Sequence, residues 1–186
     1  MVQYSYWAKR EVRTYAELYH GAKTLLEAEK ELEKGGFYQV MASLILSAFA
    51  VEAWLNHLGE KNIEYWQEID RIPPISKLKI IYQHLKLNYD PSKRPIQTII
   101  GLFYFRNRMA HSRSEILEEN GILKTHPDHH IGKIIKTKWE KYCKKENAEI
   151  VLNDVKIVIE ELAKVVGVEY PIDCLGSEES VTDPAI

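Results

Sequence analysis

The sequence predicts an all-α protein, an up-down bundle of about five helices. Apolar residues recur at three- and four-residue spacing over long stretches. Clear stop signals separate those stretches: Gly35-Gly36, Pro73-Pro74, the turn Asn88 to Ser92, and Gly167. No alternating apolar and polar run marks a convincing strand. The chain of 186 residues is long enough for one domain with a sizeable core. The expected layout is one helical domain over residues 1–170, with an irregular basic insertion at 113–147. A flexible acidic tail is expected at 171–186.

The first helix is expected from about Tyr6 to Lys34. Tyr15, Leu18, Tyr19, Ala22, Leu25, Leu26 and Leu32 form its apolar face, and glycine then ends it by accepting a left-handed backbone. The second runs from about Phe37 to Leu58. Val40, Met41, Leu44, Ala48, Val51 and Leu55 make one stripe, and Ile45, Leu46 and Phe49 widen it. A helix apolar over so much of its circumference is buried on more than one side. Its width fits either a homodimer contact or enclosure by its own bundle. Pro73-Pro74 precedes a third helix, Ile75 to Leu87. The fourth spans about Arg94 to His111, with Pro95 in the first turn, where its missing N–H costs nothing. Between Ser112 and Asn147 the pattern weakens. Ala148 to Val166 is the last helix, with Val151, Val155, Val158, Ile159, Leu162 and Val166 in register.

Composition narrows the function classes. The formal net charge is -2, so nucleic-acid binding requires a local basic patch. Two cysteines, Cys143 and Cys174, cannot build a disulfide framework, which points to a reducing cytoplasm. The N-terminus lacks a signal-peptide layout. No apolar run reads as long enough to span a bilayer, so no membrane partner is expected.

The end of the fourth helix changes character. Arg106, Asn107 and His111 follow stripes that are otherwise apolar, and Asn107 and His111, four residues apart, share a face. Burying polar groups is costly without partners. Such a placement makes either a hydrogen-bonded network that ends the helix or a functional cleft. Glu52 and Asn56 lie one turn apart on the apolar second helix. Arg108 and Arg113 flank the cluster and suit either phosphate contacts or an ordinary solvated surface. The run Lys133, Lys136, Lys138, Lys141, Lys144 and Lys145 is either a solvated face or an RNA surface, with Trp139 and Tyr142 available to stack on bases. His126, His129 and His130 with Cys143 lack the paired spacing of a zinc site, so a solvated loop is expected and no metal.

Arg106, four intervening residues and His111 resemble the R-x4-6-H motif of the HEPN family. Asn107 after the arginine and Ala110-His111-Ser112 at the end are similar to that family's usual motif. Ser47-Ala48-Phe49-Ala50-Val51-Glu52-Ala53-Trp54-Leu55-Asn56 resembles the helix that faces it. The resemblance covers roughly residues 37–112. It implies a HEPN-like bundle and a metal-independent endoribonuclease, needing no cofactor, in which a homodimer brings two motifs into one cleft. RNA supplies its own 2′-hydroxyl as nucleophile, and the products carry a 2′,3′-cyclic phosphate and a 5′-hydroxyl. On that resemblance His111 is the general acid or base, a task that suits a reference imidazole ionising at about pH 6.5. Arg106 binds the phosphate, and Asn107 orients His111 or the phosphate. Glu52 and Asn56 support Arg106 or His111, and Arg108, Arg113, Lys138 and Lys141 contact RNA. The biological setting implied is a toxin or phage-defence effector. Members often act beside an antitoxin or a nucleotidyltransferase, which joins RNA among the expected partners. Some members keep the fold without nuclease activity, so a non-catalytic dimerisation or binding module is the alternative.

Overall fold

The most apolar segment becomes the hub. The computed structural model describes residues 6–28, 36–118 and 135–172, and the backbone of 177–181. Helix α1 spans Thr14–Ala28, α2 Gly36–Asn62, α3 Trp66–Ile69, α4 Pro74–His84, α5 Ile96–His111, α6 Lys138–Tyr142 and α7 Lys145–Val166. Helix α2 packs against α1, α3, α4, α5 and α7. Its Leu44, Ala48, Val51, Trp54 and Leu55 are completely buried. They meet Leu78 of α4, Ile99, Leu102 and Phe103 of α5, and Val155, Ile159 and Leu162 of α7 in one core. Burying each large aliphatic side chain there stabilises the fold by about 1.5–3 kcal/mol. The mostly helical class agrees with the sequence reading.

Several boundaries differ, and each difference has a cause. Helix α5 begins at Ile96, so Pro95 is the cap and not part of the first turn. Just before it, Arg94 turns toward α7 and donates to both carboxylate oxygens of buried Asp154, at 2.7 and 2.8 Å. The last helix starts at Lys145, earlier than Ala148, and ends as expected at Gly167, whose φ of 73° only glycine adopts freely. Inside the stretch read as an irregular insertion, Thr137 and Glu140 form a reciprocal capping box that starts α6.

The all-helix expectation also needs amending. Tyr6–Arg10 is a strand, β1, and not the start of a helix. It pairs antiparallel with β2, Ser177–Val181, so that Tyr6 lies opposite Val181 and Arg10 opposite Ser177. Part of the tail read as flexible is therefore paired. All five residues of β1 are exposed. The ribbon rests on main-chain hydrogen bonds and not on core burial, so it leaves no apolar period in the sequence.

Helix α2 corrects one further reading. Its 27 residues, with a stretch of mean hydropathy 1.4, are long and apolar enough to cross a bilayer by length and composition. Half of that stretch is buried inside the bundle, and a core helix meets the same criteria. The end of the first predicted helix at Lys34, its Gly35 stop, His126, His129, His130 and Lys133 lie outside the described residues.

Candidate functional site

The C-terminal turn of α5 and the middle of α2 build the site. Arg106 faces α2, where its Nη2 donates to the Glu52 carboxylate. Its Nη1 donates to the Asn107 side-chain oxygen at 3.0 Å. The guanidinium carbon stands 5.5 Å from the centre of the Phe49 ring, a cation–π contact. Phe49 and Glu52 are three residues apart on one face of α2, which is why a single guanidinium reaches both. The Arg106 and Glu52 side chains are 20% and 22% exposed, so the pair is shielded but reachable from solvent. The buried Arg106 Nε has no hydrogen-bond partner among the described residues. A cation fixed in direction and still one-fifth exposed is suited to gripping an oxyanion.

His111 is exposed at the end of α5, and no hydrogen bond reaches its imidazole among the described residues. Five positions along a helix place it about 140° round the axis from Arg106. One copy of the chain therefore does not set Arg106 and His111 side by side on the same face. Asn107 lies between them, sharing its face with His111, but its side-chain oxygen is spent on Arg106 and does not orient the imidazole.

Asn56 departs from its expected role. Its side-chain oxygen accepts from Lys77 Nζ at 2.7 Å, and Lys77 is buried, 5.8 Å from the centre of the Trp66 ring. Asn56 thus serves the α2–α4 contact, leaving Glu52 as the support for Arg106. Arg108 is ion-paired with Glu115. Arg113, Lys138 and Lys141 are exposed. Trp139 and Tyr142 are partly buried, Tyr142 stacking on Phe105 at 5.0 Å and Trp139 tilting against Phe37 at 6.2 Å. A groove of about 730 Å³ between α5 and α6 is lined by Tyr104, Arg108, Lys138, Trp139 and Tyr142. Lys141 and Arg113 do not line it.

Sequence reasoning missed Phe49 as the seat of Arg106, although its place three residues before Glu52 was the available signal. It also missed Tyr104, which is 67% exposed on the groove. Among the described residues no group of His, Cys, Asp or Glu is arranged to hold a metal ion. No family model, curated protein or solved structure matches the chain.

Proposed function

We propose that this chain is a HEPN-type, metal-independent endoribonuclease that acts as a homodimer, in the setting of a toxin or phage-defence effector in the cytoplasm. The observation that carries the reading is the pairing of Arg106 with Glu52, just over one helical turn before an uncommitted His111 that ends the same helix. The first is an oriented phosphate grip; the second is a proton carrier open to solvent.

The face of α2 that leads to this cluster supports a dimer. Tyr38, Ile45, Phe49 and Glu52 fall on one side of the helix. Tyr38 is 67% and Phe49 40% exposed. Apolar side chains of this size on one uncovered face favour a second apolar surface. A two-fold contact there brings two copies of the motif together and supplies the neighbours that one α5 lacks. In the proposed reaction the RNA 2′-hydroxyl attacks the adjacent phosphorus and gives its proton to one His111. The P–O5′ bond breaks, and the 5′-oxygen takes a proton from the His111 of the second copy. Arg106 stabilises the extra charge on the pentacovalent phosphorane. The products are a 2′,3′-cyclic phosphate and a 5′-hydroxyl, and DNA, lacking the 2′-hydroxyl, is not cut.

The test is cleavage of single-stranded RNA by the purified chain in EDTA, with the sedimentation behaviour of the same sample. Loss of cleavage in His111→Ala, with the melting temperature and dimer unchanged, supports the assignment. Full activity in that variant, or a monomer at micromolar concentration, refutes it. One observation favours a second reading, a non-catalytic dimerisation or binding module: Glu52 already offsets the charge of Arg106. On that reading the protein dimerises and binds its ligand while RNA stays intact.

A further inference from the structure

The groove between α5 and α6 is separate from the Arg106–Glu52 cluster and has walls of mixed chemistry. Tyr104, Trp139 and Tyr142 supply aromatic surface, and Arg108, Lys136 and Lys138 supply positive charge. Two features make it a receptive surface and not a fold line between helices. Tyr104 presents its ring to solvent at 67% exposure, and no aromatic or hydrogen-bond contact occupies it among the described residues. Gly101 opposite Tyr142 keeps the floor low: a Cβ there would stand 3.7 Å from the Tyr142 hydroxyl, with nothing else as near among the described residues.

Charge and direction choose the occupant. Among the described residues Glu115 is the one acid lining the groove and it balances Arg108, whereas Lys138 has no salt bridge. The rim is therefore net positive. An anion that also carries flat aromatic groups satisfies both walls at once, and single-stranded nucleic acid is that kind of ligand. Tyr104, Arg108 and His111 follow one another at spacings of four and three on the same face of α5. The rise from Tyr104 to His111 is about 10 Å, so a strand seated in the groove runs along α5 toward the imidazole.

We infer that this groove is a nucleotide subsite for single-stranded RNA, in which a base stacks on Tyr104 and Trp139 and an adjacent phosphate meets Lys136 and Lys138. The choice of RNA rests on the ribonuclease reading; the groove's recognition of a base beside a phosphate does not. The subsite holds the strand away from the reacting bond, so it governs binding more than turnover.

The probe is a fluorescein-labelled, single-stranded RNA dodecamer with every ribose 2′-O-methylated, which cannot be cut by 2′-hydroxyl attack. Binding is read by anisotropy on the full chain. Tyr104→Ala and Lys138→Glu alter exposed side chains, so both variants fold. Each is expected to weaken binding between about fivefold and a hundredfold, and on cleavable RNA to raise KM with kcat little changed. Gly101→Ala, whose added methyl meets the Tyr142 hydroxyl at ordinary contact distance, checks the floor and is expected to weaken binding by less. Wild-type affinity in both Tyr104→Ala and Lys138→Glu overturns the proposal. So does displacement of the dodecamer by poly-glutamate as readily as by unlabelled RNA, since the patch then reads charge alone. Equal affinity for duplex RNA overturns it too, because paired bases cannot stack on the wall. The two readings fail separately. Binding lost in both groove variants, with no cleavage by the wild type, keeps the subsite and removes the ribonuclease. Cleavage with unchanged KM in both variants keeps the ribonuclease and removes the subsite.

Discussion

Replacing Glu52 by glutamine keeps the shape of the side chain that holds Arg106 and removes its charge. The pair is about four-fifths shielded on both sides, so it lies between an exposed pair, worth about 0–1 kcal/mol, and a fully buried one, whose breaking costs about 3–5 kcal/mol. With glutamine the guanidinium still makes a hydrogen bond of the charged class, about 1.5–3 kcal/mol, and only the attraction between opposite charges is lost. The expected loss is thus about 1 kcal/mol, or a fall in melting temperature of about 2–4 °C for a chain this long. The functional effect is larger. In Glu52→Gln the guanidinium keeps Asn107 at 3.0 Å and the Phe49 ring at 5.5 Å, but the neutral amide holds its direction more loosely than the carboxylate does. A grip misplaced by about 1 Å can cost a hundredfold in rate, so kcat is expected to fall by about 10- to 100-fold. KM stays level or drops, because less of the arginine charge is offset. The assay is steady-state cleavage of a fluorogenic RNA in EDTA, with a thermal melt of the same preparation. A kcat equal to wild type alongside the predicted melting shift would show that Glu52 is only a packing group. A rise in kcat would make it a brake on Arg106, refuting its role as positioner.

Other expectations concern the scaffold. A Cβ at Gly59 would lie 2.2 Å from the buried Trp66 ring, and overpacking of about 1–3 kcal/mol exceeds the helix gain of up to about 1 kcal/mol from alanine; urea titration of Gly59→Ala should show lower stability, and a more stable variant contradicts the packing. Burial pushes the Asp154 carboxyl upward, but hydrogen bonds from Arg94 and Thr98 outweigh it and hold it below the ordinary value. Its contribution is complete above a pH of about 4 and lost as pH falls through the lower folded value, so the urea midpoint should drop on acidification and drop less in Asp154→Asn. Burial raises the Cys143 thiol to about 11, so in a Cys174→Ser background Cys143 should react with a disulfide reagent at pH 8 only on unfolding; rapid labelling of the native protein would refute that burial.

What was legible in the sequence follows from where the information sits. Helices α2, α5 and α7 each carry an apolar period of their own, and neighbours in the fold are not needed to read it. The Arg106–Glu52 pair was legible only in part: both are polar residues stranded on apolar helices, and the resemblance left Glu52 to support either Arg106 or His111. Asn56 shares the face of Glu52, but its partner Lys77 comes from α4, and nothing in α2 indicates which helix covers that turn. The sequence put Asn107 and His111 on one face, and helix geometry turns Arg106 away from His111 within one copy. The capping box Thr137 to Glu140 was readable in principle, hidden among lysines that draw attention to charge. The β1–β2 ribbon was not readable at all, because both strands are short and their pairing is a relation between distant segments.

That ribbon has a consequence for how the molecule assembles. Tyr6 and Val181 are partners, so almost the whole chain intervenes, and closing a loop of that length costs entropy that grows with the logarithm of its length. Two short strands alone are marginal in water. The ribbon therefore closes only once the helices have brought its halves within reach, and it cannot nucleate folding. It behaves as a clasp on a finished object, opening first under stress and reporting, by its closure, that the bundle beneath is complete.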